Sequence, residues 1–312
     1  MNAPARPRSG IRNLFLFILL IICSGCTNTG LFLANSIARR ANFAVIENVD
    51  YGDLAEQRLD IYTPDPGSDE QQQGNPVVVF FYGGCWGACN TYQKEKYAFA
   101  AEALTTNGFI VVLPDYRLYP DVLFPEIIQD AAQAVEWVRD NIREYGGDAD
   151  TIFLMGHSAG AHLAAMLTLN EQYLREDTHR HIRGLIGLAG PYDFMPFDQA
   201  YQRILFGPPE IHSQSQPINF VDGSEPPFLL LYGDEDKVVK PRNIDNLTTR
   251  ARALGIDVTS IHYAGINHAG LVAALSRALR NHKPIANDVL TFLMDHTESR
   301  SSSDPERLQR SD

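Results

Sequence analysis

The chain has 312 residues, of which 45% are hydrophobic and 21% are charged; this balance is typical of packed globular proteins and excludes a disordered or fibrous chain. Its formal charge is −12, from 26 Lys and Arg against 38 Asp and Glu. Because so acidic a protein repels phosphate groups, we expect neither nucleic acid nor an anionic membrane surface as a partner.

The N-terminus predicts an export signal over residues 1–25. Arginines within positions 1–12 precede the apolar run at 14–22, and small residues then lead to Cys26. The apolar run is short for a transmembrane helix, which needs ~20 apolar residues. Cys26 resembles a bacterial lipoprotein cleavage site, at which the cysteine is acylated, although Cys23 stands where such signals usually have Leu. An ordinary signal peptide or an uncleaved anchor is the alternative, and each predicts an exported, periplasm-facing or secreted protein whose only membrane attachment is N-terminal.

Six short apolar runs follow at intervals typical of alternating strands and helices. They are Val77–Tyr82, Phe109–Leu113, Ile152–Met155, Leu185–Leu188, Phe228–Tyr232 and Val258–Tyr263. The first five are apolar nearly throughout, which predicts strands buried on both faces of a parallel sheet. The sixth run mixes polar and apolar residues, so we expect it nearer an edge.

Helical and antiparallel signals complete this pattern. Pro125–Tyr145 predicts a helix, because its apolar residues recur at steps of three and four and two glycines follow it. Ala41–Asp50 and Glu56–Tyr62 alternate in polarity and predict an antiparallel edge pair. We therefore predict one α/β domain over residues 41–296, with a mostly parallel, doubly wound sheet and helices on both faces.

Two segments depart from the alternation of strands and helices. Residues 191–227 are rich in Pro, Gly, Gln and Ser between two predicted strands, which predicts a cap or pocket insertion. Residues 297–312 contain a single large apolar residue, Leu308, and we expect a disordered tail there.

The pentapeptide Gly156–Gly160, with the sequence GHSAG, lies between a predicted strand and the apolar helix predicted at Ala161–Leu169. In this strand–turn–helix context the motif predicts a nucleophilic serine, Ser158, on a tight and strained turn. A side chain at either flanking glycine would clash there. The following helix directs its free N–H groups at a developing oxyanion. A glycine turn that only packs the helix on the strand is the structural alternative.

Ser158 needs a partner base, because a serine hydroxyl is a weak nucleophile until its proton is removed. Asp234 and Asp236 follow the fifth apolar run, and His268 follows the sixth. Both positions come at the carboxyl ends of predicted strands, where parallel sheets place their sites. We expect His268 to take the serine proton. Asp236, which we prefer, or Asp234 would orient its imidazole.

A second glycine motif, Gly83-Gly84, follows the first apolar run. Glycines let backbone N–H groups approach a tetrahedral oxyanion closely, which a Cβ atom would obstruct. We expect oxyanion donors from Gly83 or Gly84, or both, together with the N–H group of Ala159. Because the chain contains no Walker loop and no G-x-G-x-x-G motif, we expect no nucleotide cofactor.

The other histidines predict no metal site. We expect His157, inside the serine turn, to pack or to line the pocket, and His162 to be a satisfied structural residue on the following helix. His179 and His181 lie in a polar segment and are expected to be solvated. Two histidines without a third ligand are weak support for a metal.

Cys85 and Cys89 are the two cysteines outside the N-terminal segment. In an oxidising compartment a disulfide between them would close a very small loop. Two free thiols packed in a turn are the alternative. No second Cys/His pair at zinc spacing accompanies them.

In this order the motifs resemble the α/β-hydrolase superfamily, and within it the branch of hormone-sensitive-lipase-like and kynurenine-formamidase-like serine esterases. The resemblance runs from about Val45 to His296. It rests on Leu59–Pro64, Tyr82–Trp86, Asp115–Leu118, Gly156–Gly160, Asp236 and His268. It implies an α/β-hydrolase fold, a triad of Ser158, His268 and Asp236, and no cofactor. Tyr82 replaces the histidine usual in this family's oxyanion loop, and Arg117 is expected to pair with an acid.

The sequence thus predicts a serine hydrolase that acts on small-molecule carboxylic esters through an acyl-enzyme. The insertion at 191–227 is short and polar, which favours short- or medium-chain esters over long lipids. An amidase or formamidase is an alternative, because one triad serves both bonds, and so is an acyltransferase. A non-catalytic binding protein on the same scaffold is a further alternative, although such a scaffold need not retain all of these motifs.

Overall fold

A computed structural model describes residues 31–65, 74–90 and 93–298. Eight strands form one sheet in the order β1-β2-β4-β3-β5-β6-β7-β8. The strands are β1 (Phe43–Asp50), β2 (Arg58–Pro64), β3 (Asn75–Phe81), β4 (Ile110–Pro114), β5 (Gly147–His157), β6 (Ile182–Leu188), β7 (Phe228–Gly233) and β8 (Val258–Tyr263). The β1–β2 and β2–β4 pairs are antiparallel, and the other five pairs are parallel.

The helices connect and flank these strands. They are α1 (residues 31–38), α2 (Ala98–Thr105), α3 (Phe124–Asn141), α4 (Ala159–Leu169), α5 (Glu176–His179), α6 (Ala200–Leu205), α7 (Arg242–Ala253), α8 (His268–Ala273) and α9 (Ile285–Glu298). The connection from β3 to β4 runs toward the β1 edge of the sheet, whereas each later connection between parallel strands runs toward the β8 edge. Right-handed crossovers therefore place α2 on one face and α3, α4 and α7 on the other.

The predicted α/β architecture is confirmed. All six apolar runs lie in strands of the parallel part of the sheet, and the more polar β8 is an edge strand. The two alternating segments form the antiparallel β1–β2 pair, with β1 at the opposite edge. The predicted helix at Pro125–Tyr145 is α3, whose last turn tightens into the 3₁₀ segment Ile142–Tyr145 before Gly146 in a left-handed conformation.

The sheet interior explains why these strands are apolar throughout. Every described residue of β4, β7 and the α4 helix is buried, because helices cover both faces of the central sheet. Phe153 of β5 packs against Phe292 of α9, with ring centroids 6.5 Å apart. The carboxyl ends of the parallel strands therefore rest on a closely packed core.

The predictions for the chain ends lie largely outside the described residues. Residues 1–25 and Cys26 are not described, and α9 extends to Glu298, two residues into the segment that we expected to be a tail. Within the described ranges, no helix combines the length and the apolar character that a membrane crossing requires.

Residues 191–227 contain α6 and two 3₁₀ segments, Pro209–Ser215 and Pro217–Phe220, and lie between β6 and β7. Phe194, Phe197 and Phe206 from this segment pack on one another and on Trp86. The predicted insertion therefore covers one side of the carboxyl edge of the sheet with aromatic rings.

Candidate active site

Ser158 occupies the sharp turn between β5 and α4. Its backbone angles are φ 55° and ψ −121°, a conformation that a residue with a Cβ atom adopts only under strain. The flanking glycines permit the turn. A Cβ atom on Gly156 would lie 2.3 Å from the carbonyl of Gly160, and one on Gly160 would lie 2.0 Å from the carbonyl oxygen of Phe81. The turn places the Ser158 hydroxyl at the carboxyl edge of the sheet.

Three predicted side chains form a hydrogen-bonded series at this edge. The Nε2 atom of His268 lies 2.9 Å from the Oγ atom of Ser158, and its Nδ1 atom lies 2.7 Å from Oδ2 of Asp236. Because a carboxylate only accepts, Nδ1 carries the proton and Nε2 is free to accept from the serine hydroxyl. The Asp236 side chain has no exposed surface, whereas that of His268 remains 16% exposed.

The loop after β7 holds the Asp236 carboxylate in place. Its Oδ1 atom accepts hydrogen bonds from the backbone N–H groups of Val238 and Val239, at 2.7 and 3.0 Å. Burial opposes the charge of this carboxylate, but the hydrogen bond from His268 and those from the two N–H groups together lower its pKa below the ordinary value. Asp236 is therefore an ionised partner for His268.

Asp234 has a different partner. Its Oδ1 atom lies 3.4 Å from Nδ1 of His262 on β8, and its side chain is half exposed. Of the two acids that the sequence left open, Asp236 is the one in contact with His268.

The predicted oxyanion donors converge on the serine turn. A Cβ atom on Gly83 would lie 3.0 Å from the Cβ atom of Ser158 and 2.9 Å from the carbonyl oxygen of His157, so only a glycine backbone comes this close. Among the described residues, the N–H groups of Gly83, Gly84 and Ala159 have no backbone acceptor. Ala159 is the first residue of α4, where N–H groups are free.

Tyr82 does not share this site. Its phenol donates to Oδ1 of Asp115 at 3.0 Å, and its ring stacks on Tyr116 with centroids 4.6 Å apart. The same carboxylate accepts from the backbone N–H of Lys94 at 2.8 Å. Burial raises the pKa of the Tyr82 phenol well above its ordinary value. The residue that replaces the family's usual histidine is therefore a buried structural residue.

The loop after Gly84 is closed by a disulfide between Cys85 and Cys89, which resolves the alternative that the sequence left open. Inside it, Cys85 and Trp86 both have positive φ, at 54° and 56°. The carbonyl oxygen of Gly84 accepts from the N–H groups of Gly87 and Cys89, at 3.1 and 3.3 Å. The bridge and these bonds constrain the backbone directly after Gly83 and Gly84, the two predicted oxyanion glycines.

His157 and His162 are buried as predicted. The Nε2 atom of His157 bonds to the carbonyl oxygen of His268 at 3.0 Å, and burial, assisted by His268, lowers its pKa to about 3. His162 donates from Nε2 to the carbonyl oxygen of Ser215 at 2.7 Å and accepts from the Trp86 indole at 3.2 Å. Burial lowers the pKa of His162 to about 4, so both rings are neutral near pH 7.

The prediction for His179 and His181 was wrong. We expected His179 and His181 to be solvated, but both are partly buried. His179 bonds through Nε2 to the carbonyl oxygen of Thr168 at 2.8 Å, and His181 bonds through Nδ1 to that of Asp177 at 2.6 Å.

Arg117 pairs with an acid as predicted: its Nη2 atom donates to Oδ1 of Asp130 at 2.8 Å. The described part of the chain contains no group of three or more His, Cys, Asp or Glu residues placed to hold a metal ion.

Two cavities meet at Ser158. One, of about 620 Å³, is almost entirely apolar and is lined by His157, His268, Val272, Leu279 and residues of α1. The other, of about 70 Å³, is lined by Trp86, Ala159, Phe194, Lys240 and Arg242. The contribution of α1 could not be predicted, because nothing in residues 31–38 signals a contact with a loop more than 200 residues away.

Comparison with known proteins identifies the family. Residues 59–250, more than half of the chain, match the family model BD-FAE. The chain belongs to the BD-FAE family. Its resemblance to the esterase branch of the α/β-hydrolase superfamily is thereby confirmed. The region of this chain that matches the family model contains Ser158 and Asp236 but ends before His268.

Individual relatives agree with this assignment. The chain is 29% identical over 282 residues to Esterase LipC of Mycobacterium tuberculosis, covering 84% of this chain and 68% of the relative. It is 29% identical over 252 residues to a probable isoprenylcysteine alpha-carbonyl methylesterase, ICMEL1, of Arabidopsis thaliana, covering 73% of this chain. The chain spans about half of the length of that plant protein (51%).

A solved structure, a truncated carbohydrate esterase from gut microbiota, superposes with a TM-score of 0.69 at 24% identity. The match covers 81% of this chain and 96% of that one. At this level of identity the likeness concerns the fold, and it agrees with the α/β-hydrolase architecture of the sheet.

Proposed function

We propose that this protein is a serine carboxylic-ester hydrolase that acts on short- or medium-chain esters. The observation that carries the proposal is the hydrogen-bonded series from Ser158 through His268 to Asp236. Beside it lie Gly83, Gly84 and Ala159, whose N–H groups have no backbone acceptor among the described residues. Membership of a family with esterase relatives supports the same chemistry.

In the proposed first step, the Ser158 oxygen attacks the ester carbonyl carbon while His268 takes the hydroxyl proton at Nε2. The carbonyl oxygen becomes an oxyanion, which the N–H groups of Gly83, Gly84 and Ala159 stabilise. His268 then returns the proton to the ester oxygen, and the alcohol leaves. Asp236 holds Nδ1 of His268 and stabilises the imidazolium that forms.

The second step reverses these roles with water. His268 takes a proton from a water molecule, whose oxygen attacks the acyl carbon of the acyl-enzyme. The second oxyanion collapses, the bond to the Ser158 oxygen breaks, and the proton returns to Ser158. The products are one carboxylic acid and one alcohol, and no cofactor takes part in this cycle.

The proposal extends to location. The basic and apolar segments before Cys26 support export with a lipid on that cysteine. The Cys85–Cys89 disulfide supports an oxidising compartment, where such bridges persist. Cys26→Ser in the full chain is expected to abolish labelling by a fatty-acid probe and to move the protein out of the membrane fraction. Unchanged labelling would exclude Cys26 as the attachment site.

Hydrolysis of p-nitrophenyl esters, from acetate to palmitate, tests the activity. We expect turnover of the short and medium esters, and Ser158→Ala is expected to lower kcat by roughly 10⁶-fold. Equal rates for the wild type and this variant would refute the esterase. A matched p-nitroanilide measured beside each ester separates ester from amide specificity, because the same three residues serve both bonds.

A further inference from the structure

The two cavities at Ser158 differ in size, polarity and position relative to His268. The large cavity, of about 620 Å³, lies in the range of roughly 300–1,000 Å³ that is typical of small-molecule sites. The small cavity, of about 70 Å³, holds on the order of five water-sized groups at ~10–15 Å³ each. An ester that spans Ser158 therefore has one large and one small substituent.

The position of His268 indicates which substituent is which. His268 returns its proton to the departing alkoxide, so the alcohol half of the ester has to lie beside its ring. The rings and side chains of His268, Ala269 and Val272 line the large cavity. None of these three residues lines the small cavity, which lies instead beside Ala159 and Trp86. The leaving alcohol thus faces the large cavity and the acyl group faces the small one.

Resting on the proposed function, we infer that the substrates are esters of a short acyl group with a large apolar alcohol. The polarity of the two cavities agrees with this orientation. Lys240 and Arg242 line the small cavity, where a hydrocarbon chain would desolvate their charges. The large cavity exposes almost only aliphatic and aromatic surface, from residues such as Leu33, Val272 and Leu279.

Helix α1 forms the outer wall of the large cavity. Leu31, Leu33, Ala34 and Ile37 line it, and α1 lies outside the part of the chain that matches the family model. Asn35 docks the helix on the body. Its amide donates to the carbonyl oxygens of Glu95 and Lys96 and accepts from the N–H of Phe99, at 2.9 to 3.1 Å. The alcohol-binding wall is therefore a fixed element of this chain.

An isomeric pair of esters tests the orientation. Octyl acetate and ethyl octanoate have the same formula, but the long chain lies on the alcohol in the first and on the acyl group in the second. We expect kcat/KM for octyl acetate to exceed that for ethyl octanoate by at least about tenfold, since pockets discriminate by this much on small differences in fit. Equal values, or a preference for ethyl octanoate, would overturn the inference.

Two neighbouring α1 variants test the wall. Leu33 lines the cavity, whereas Phe32 does not, and both side chains are more than half exposed. Leu33→Ala is expected to raise KM for octyl acetate several-fold, because it removes apolar contact with the alcohol chain, and to affect ethyl acetate less. Phe32→Ala should match the wild type with both esters. An equal effect of the two variants would contradict a wall at Leu33.

The two proposals fail in different ways. If p-nitrophenyl acetate is hydrolysed by the wild type and not by Ser158→Ala, the esterase stands whatever the isomeric pair shows. If neither that ester nor octyl acetate is hydrolysed above the Ser158→Ala background, both the esterase and its alcohol pocket are refuted.

Discussion

The Nε2 atom of His157 donates a hydrogen bond to the backbone carbonyl oxygen of His268 at 3.0 Å. This bond joins the residue before Ser158, the proposed nucleophile, to His268, the proposed base, independently of the contact between Ser158 and the His268 ring. Because a carbonyl only accepts, the proton lies on Nε2 of His157, and its Nδ1 atom has no partner among the described residues. Burial lowers the pKa of His157 to about 3, so the ring is neutral near pH 7.

The neutral state of His157 predicts that stability falls in mild acid. An unfolded histidine takes up a proton below a pH of about 6.5, whereas the pKa of folded His157 is about 3. Between these values the unfolded state binds more protons, so the free energy of unfolding decreases as the pH falls. His162, with a pKa of about 4, acts in the same direction. Each buried histidine contributes roughly 2 kcal/mol of this loss by pH 5.

Urea unfolding of the wild type and of His162→Gln at pH 7 and pH 5 measures how much unfolding free energy each protein loses in acid. The variant is expected to lose about 2 kcal/mol less than the wild type between the two pH values. His282→Gln, at an exposed position, serves as the control and should follow the wild-type curve. A loss in His162→Gln as large as in the wild type would show that protonation of His162 does not drive the acid sensitivity.

We expect the Asp236→Asn variant to stay folded and to lose most of its activity. The amide would keep an oxygen toward the N–H groups of Val238 and Val239, but its NH₂ group would face Nδ1 of His268 and favour the wrong tautomer. We expect kcat to fall by about 10⁴-fold. Asp234→Asn is the matched control, since Asp234 faces His262, and should retain activity within about twofold. Comparable losses in the two variants would contradict the assignment of Asp236.

Much of this architecture could be predicted because its signals are local. Strands buried on both faces are apolar throughout, as in β4 and β7, and the turn at Ser158 demands small neighbours at Gly156 and Gly160. The acid that contacts His268 was harder to predict, because Asp234 and Asp236 lie only two positions apart in the same loop. The choice depends on which carboxylate turns toward a loop 32 residues later.

The features that the sequence did not reveal are contacts between separate secondary-structure elements. His179 lies among polar residues, yet its acceptor is the carbonyl oxygen of Thr168 near the end of α4. The α1 helix borders the site only because Asn35 docks on the backbone at Glu95 and Lys96. Neither partner is marked by composition or periodicity, so only the packed chain brings them together.

Tyr82→Phe tests whether the tyrosine that replaces the family's usual histidine takes part in catalysis. The variant keeps the stack on Tyr116 and loses the hydrogen bond to Asp115. We expect unfolding free energy to fall by about 1 to 3 kcal/mol and kcat to stay within about twofold of the wild type. A loss of roughly 10²-fold in kcat, with a normal unfolding curve, would indicate instead that the phenol is an oxyanion donor.

The Cys85–Cys89 disulfide predicts a redox-dependent rate. Its loop is so small that losing the bridge costs only about 2 kcal/mol of stability in the chain-entropy model. The bridge follows Gly83 and Gly84 directly, so reduction should loosen their N–H groups and lower kcat by about tenfold, part of the loss expected for one missing oxyanion donor. Dithiothreitol titration of the wild type, with activity and circular dichroism recorded together, measures both effects.

The double variant Cys85→Ser, Cys89→Ser should have the same low rate in the presence and absence of reductant. Reoxidation should restore the wild type, because the fold survives reduction. A rate unchanged by reduction would show that the backbone hydrogen bonds to the carbonyl oxygen of Gly84 hold the loop without the disulfide.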